Sequence, residues 1–164
     1  MADTATEIAI ATQTLSSAAA SITFSSIAAT YTDLRLVIMP TGSVANDVQL
    51  TFNGDTATNY SRTFVYGTGA AAGSFRGTST AFIYLDSAGV STTIPHLYTA
   101  DVFSYAGSTY KTLLYTGAED NNGSGQVLSG VGLWRSTAAI TSIGLATGGG
   151  NFSVGTIATL YGIL

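Results

Sequence analysis

The last third of the chain, residues 127–164, constrains the fold more than any other stretch. It holds three apolar runs rich in β-branched residues, at 127–136, 140–146 and 156–164. Short Ser/Thr or Gly-rich connections separate them, and consecutive antiparallel strands read in this way. The last run reaches Leu164 without a polar tail. That predicts a chain end tied into a sheet as a strand.

The rest of the chain repeats the pattern. Residues 47–53 (DVQLTFN) alternate most cleanly, with Val48, Leu50 and Phe52 on one side and Asp47, Gln49, Thr51 and Asn53 on the other. Asn53-Gly54-Asp55 then carries strong turn chemistry. Further strands are expected at 21–27, 33–39, 60–66, 81–85, 97–105 and 110–116. Residues 67–79 (GTGAAAGSFRGTS) read as a long surface loop, and 117–125 (GAEDNNGSG) as an exposed loop tip. In 33–39, Leu34, Leu36 and Ile38 share one face while Arg35, Val37 and Met39 share the other. Both faces are largely apolar, so this strand is expected to be covered on both sides or to meet another subunit. Nine or ten strands of this kind make an all-β protein, an antiparallel β-sandwich of the jelly-roll type.

Residues 1–20 differ. They are rich in Ala, Thr and Ser, with Ile8, Ile10 and Leu15 as their only large apolar groups. The spacing of Ile8 and Ile10 supports one short strand. The segment is expected to be an extended arm that lies on a neighbour and adds little to its own sandwich, which residues 21–164 would form.

Only 9% of the residues are charged, against about 25% in an average domain. Ser and Thr, about a quarter of the chain, take over the surface role of Lys and Glu. Such a surface is expected to be covered in part by neighbouring subunits, and a symmetric assembly, a homotrimer, is the expected form. The net charge is −4 and the five basic residues are scattered singly, so no basic stripe exists for nucleic acid. Cysteine is absent, the start lacks the regions of a signal peptide, and no run has the length of a membrane-spanning helix. Neither a membrane nor a nucleic-acid partner is expected.

The residues that carry chemistry elsewhere are sparse here. His96 is the only histidine, and a Ser104–His96–Asp101 arrangement can be written down without any mark of a strained nucleophile turn. A lone histidine after Pro95 reads as a loop or strand-edge residue, so no catalytic role is expected. Asp55 with Asn53 and Asn59, and Glu119 with Asp120 and Asn121, lack the spacing of a calcium loop and read as Asx turns. Gly148-Gly149-Gly150 has no following lysine and is not a phosphate loop. No cofactor or metal is expected. Trp134 shares a strand face with Leu128, Gly130 and Gly132, where its indole would cover bare backbone. Two readings stand for it: ordinary core packing, or a subunit contact beside Arg135, since Trp and Arg are enriched there.

Three blocks carry a resemblance. They are ITFSSIAATYTDLRLVI at 22–38, FNGDTATNYS at 52–61, and the run 131–164, which contains GLWRSTAAITSI and ends NFSVGTIATLYGIL. Together they resemble small virion structural proteins of tailed bacteriophages. The resemblance implies a β-sandwich subunit on the outside of a phage particle, with structural rather than catalytic motif residues. Two roles follow from it. One is a head decoration or cement protein that contacts the major capsid protein and its own neighbours. The other is a tail-fibre or receptor-binding domain for host-surface glycans. The short chain leaves little room for a fibre stalk, which favours decoration. The contact residues expected from the sequence are Ile8, Ile10, Leu15, Arg35, Val37, Met39, Trp134 and Arg135.

Overall fold

The computed structural model describes residues 6–86 and 89–164, so the first five residues of the expected arm and residues 87–88 lie outside the described residues. The described residues form twelve strands and no helix. They are β1 (Glu7–Thr14), β2 (Ser21–Phe24), β3 (Asp33–Met39), β4 (Val48–Phe52), β5 (Tyr60–Gly67) and β6 (Ala72–Thr80). The second half adds β7 (Ile83–Tyr84), β8 (Leu97–Phe103), β9 (Lys111–Asp120), β10 (Gly125–Trp134), β11 (Ile143–Thr147) and β12 (Ile157–Ile163).

Two antiparallel sheets face each other. The larger runs β1-β12-β3-β8-β9-β10-β5-β6, and the smaller runs β2-β11-β4-β7. With β5, β6, β9 and β10 set aside, eight strands remain. Counted in their own chain order, they read first-eighth-third-sixth in one sheet and second-seventh-fourth-fifth in the other. This is the jelly-roll winding. The four other strands extend the larger sheet beyond β8.

Period-two alternation builds the core. Leu34, Leu36 and Ile38 of β3, Val48, Leu50 and Phe52 of β4, and Val102 of β8 are all buried between the sheets. Each such side chain contributes about 1.5–3 kcal/mol by leaving water. The outward neighbours on the same strands stay partly or fully exposed.

Three expectations change. First, residues 7–14, expected as an arm on a neighbour, are the edge strand of the chain's own larger sheet, paired with β12 and bulged between Ala9 and Ala11. Leu15 N donates to Thr156 O at 3.0 Å, and Ala19 and Phe152 exchange two backbone hydrogen bonds. A ladder needs backbone groups rather than large side chains, so a composition poor in apolar residues did not reveal it. Ile10 and Leu15 do pack against the core. Deleting residues 1–20 removes these bonds and bares the β12 edge, a loss of about 3 kcal/mol or more. The melting temperature should fall by roughly 10 °C. An unchanged melting curve would restore the arm reading.

Second, the expected loop at 67–79 is mostly β6, and the loop expected at 117–125 shrinks to 121–124 because β9 and β10 run on into it. β6 is an edge strand with most of its residues exposed, so no burial pattern marked it.

Third, Trp134 does not cover the glycines of its strand. A Cβ on Gly130 would stand 2.6 Å from Tyr115 Oη and 2.7 Å from Phe64 Cβ, and one on Gly132 would stand 2.8 Å from Ile83 Cδ1 and Leu113 Cδ2. These residues occupy the space instead. Gly130→Ala should therefore overpack the core and cost about 1–3 kcal/mol in urea unfolding.

Candidate interaction face

The inner face of the larger sheet is closed by the smaller sheet and its loops; the outer face is not. Backbone register fixes which residues line up across it. One row reads Tyr161, Arg35, Asp101, Leu114, Val131, Thr63. The next reads Thr159, Val37, Thr99, Thr116, Ser129, Val65. Hydroxyls bond along the second row, Thr99 to Thr116 at 2.7 Å and Thr159 to Thr12 of β1 at 3.0 Å.

Large apolar side chains stand out of this face. Leu114 is 52% exposed, Val65 58% and Val127 63%, and Met39, Leu97, Phe103, Val131 and Ile157 are also exposed. Charge gathers at two places, an exposed Arg76 opposite Thr63 on the β6 edge and a cluster on β1, β3 and β8. Arg35 Nε donates to Asp101 Oδ1 at 2.6 Å, Nη2 donates to Oδ2 at 3.2 Å, and Glu7 lies 3.6 Å from Nη1. A depression of about 410 Å³ beside this pair is lined by Glu7, Arg35, Val37, Thr99, Asp101 and Tyr161. Isolated exposed leucines are ordinary, whereas a contiguous apolar and hydroxyl face with so little charge marks a contact surface.

The contact residues expected from the sequence are dispersed. Arg35, Val37 and Met39 lie together on the outer face. Ile8 is exposed on the edge strand, while Ile10 and Leu15 turn toward the core. Trp134 is 2% exposed and belongs to the core, which settles its two readings in favour of packing. Arg135 is exposed, but its Nη2 donates to Thr58 O at 2.5 Å and its backbone N to Asn59 O at 2.9 Å. The alternation of β9 and β10 was the signal that could have added Leu114 and Val131 to the expected contacts.

The motif blocks that carry the resemblance meet at one corner. Asn53 and Gly54 both have positive φ, 53° and 66°, which makes the tight turn after β4. Asn53 Oδ1 accepts from Thr141 N and Ser142 N, tying this turn to the segment before β11. Asp55 Oδ1 accepts from Ala57 N, and Oδ2 accepts from Asn59 Nδ2 at 2.9 Å and Trp134 Nε1 at 2.7 Å. The Asn59 and Trp134 hydrogen bonds hold the Asp55 carboxyl below its ordinary pKa. The Trp134 ring stacks on Tyr60 at 6.3 Å and tilts against Phe52 at 5.5 Å. This corner is a clasp between the two sheets.

A buried polar cluster sits near the other end of β8. His96 lies in the loop directly before β8, as expected, but it is 3% exposed. Its Nδ1 is hydrogen-bonded to Tyr98 Oη at 2.8 Å, and its Nε2 meets both Ser91 N and the Glu119 carboxylate. Burial lowers the His96 pKa, and the Glu119 charge opposes this. Asp101 faces outward and pairs with Arg35, while His96 lies between the sheets, so the Ser104–His96–Asp101 arrangement is not assembled. Lys111 is also buried, its ammonium donating to Gly107 O at 2.6 Å and Thr109 O at 2.5 Å. Its place on the Leu113–Tyr115 side of β9 was readable from alternation alone. Among the described residues no group of three or more His, Cys, Asp or Glu is placed to hold a metal ion, and no helix is long and apolar enough to cross a membrane. Comparisons with protein-family models, curated proteins and solved structures find nothing that matches this chain.

Proposed function

We propose that this chain is a structural protein of a bacteriophage particle, a decoration or cement protein on the outside of the head whose larger-sheet face is covered by neighbouring subunits. The observation that carries the reading is the outer face itself, with exposed leucine and valine side chains between hydroxyls and few charges, Arg35 held by Asp101 and Glu7 and Arg76 at the far edge. A surface of that composition is suited to lasting contact rather than to free exposure to water. The sequence resemblance supports the same setting, because its motif residues Asn53, Asp55, Tyr60 and Trp134 form a clasp that stabilises the sandwich. Electron microscopy of particles labelled with a gold-conjugated antibody against this chain tests the proposal. Label over the head is the expected result. Label at the tail tip would favour receptor recognition instead, and particles without label would remove the virion role.

A further inference from the structure

We propose that the outer face of the larger sheet is self-complementary and is covered by the same face of a second copy, related by a two-fold axis that runs along the strands between β3 and β8. This rests on the reading that the face is a contact between subunits, and it names the neighbour.

A two-fold contact uses one patch twice, so the patch must be its own complement. The charges meet that condition. Arg35 on β3 and Asp101 on β8 are directly opposite in register. Rotation about an axis between them lays each Arg35 over Asp101 of the other copy, and four alternating charges result, with the Glu7 of each copy beside its own Arg35. A like-charged pair at this place would forbid the arrangement.

The apolar part follows the same symmetry. Three strands, β3, β12 and β1, lie on one side of the axis, and β8, β9 and β10 lie on the other. The rotation therefore sets β9 over β12 and keeps each row at its level. Leu114 of one copy comes down on Tyr161 of the other, at the depression of about 410 Å³ beside Arg35. A protruding leucine meets a hollow, twice. Strands stacked in this way remain nearly aligned, as two sheets packed about 10 Å apart are.

The area is sufficient. Each outward residue covers about 4.8 by 6.8 Å of sheet, and six strands with roughly four outward residues each give ~800 Å² per copy. A stable interface of standard size buries about 800 Å² per partner. β5 and β6 fall outside the overlap, so Val65 remains exposed in the pair. The two-fold contact takes the place of the three-fold assembly expected from the sequence, because the Arg35–Asp101 pair is balanced about a single axis.

Sedimentation of the purified full chain tests this. Wild type should sediment at about twice 16.7 kDa. Leu114→Glu should weaken the dimer at least ~100-fold, while Val65→Glu should leave it intact. Arg35→Asp and Asp101→Arg should each sediment as monomers alone, yet an equimolar mixture should form dimers, since one copy then presents two negative and the other two positive charges. Circular dichroism establishes that each variant is folded; should a charge variant not fold, Leu114→Glu against Val65→Glu decides. A monomeric wild type at about 100 µM, a trimer, equal effects of the two glutamates, or a mixture of folded charge variants that stays monomeric would overturn the proposal. A monomer that still labels the head removes the two-fold contact alone. A dimer absent from purified particles removes the virion role alone.

Discussion

Asp86→Asn is expected to stabilise the protein at pH 8 by on the order of 2–4 kcal/mol and to abolish a pH dependence that the wild type shows. Asp86 is 2% exposed. Its Oδ2 accepts from Val48 N at 2.7 Å, and Oδ1 has no hydrogen-bond partner among the described residues. Burial, reinforced by the Asp47 charge, pushes its pKa up to about 7, against the opposing Val48 N–H and the Arg62 guanidinium. The folded state therefore holds a proton that the unfolded chain releases near pH 3.8. This stabilisation is complete below the unfolded value and is lost as pH rises through about 7. Asparagine stays neutral throughout and keeps an acceptor for Val48.

His96 acts in the opposite direction. Its folded pKa is below 6.5, so it costs stability as pH falls beneath that value. Just below pH 6.5 the two groups thus offset each other, and the wild type should weaken as pH rises from 6.5 through about 7 and level off above it. Asp86→Asn should retain only the histidine limb, gaining stability as pH rises to about 6.5 and changing little above it. Urea unfolding of both proteins at unit steps from pH 5 to 8 measures this. Parallel curves would show that Asp86 is ionised at little cost.

Asp55→Ala should be the most damaging single change at the clasp, lowering stability by about 2–3 kcal/mol. It takes the acceptor from the part-buried indole N–H of Trp134, and it releases Asn59 and the Ala57 backbone. For a chain of this length the melting temperature should drop by roughly 5–10 °C. Trp134→Phe deletes the same hydrogen bond from the other end. The double variant should then cost less than the two singles added together, by at least ~0.5 kcal/mol. Strict additivity in thermal or urea unfolding would mean that the 2.7 Å contact contributes nothing.

Most of the sandwich could be read along the chain because its central strands are buried on one face. Val48-Gln-Leu-Thr-Phe52 alternates because Gln49 and Thr51 stay at least partly in solvent while their neighbours fill the core. The same pattern placed β3, β8 and β12 and put Arg35, Val37 and Met39 on one outward face. Asn53-Gly54 announced its turn, since two consecutive residues with positive φ favour that pair. In these segments the local physics and the tertiary surroundings ask for the same residues.

The rest was decided at a distance. β1 and β6 are edge strands, bonded to one neighbour and mostly exposed, so neither side of the strand demands a run of apolar residues. Composition then reads as an arm or a loop. Trp134 gave no sign of whether it faced a neighbour or the core, because its acceptor Asp55 lies 79 residues away. The meeting of Arg35 with Asp101 spans 66 residues, and that of His96 with Glu119 depends on the register of β8 against β9. Local periodicity is written by which side of a strand meets water. Which strands become neighbours is written only by how the whole chain winds, and on that winding rest the outer Arg35–Asp101 pair, the buried His96–Glu119 contact and the composition of the outer face.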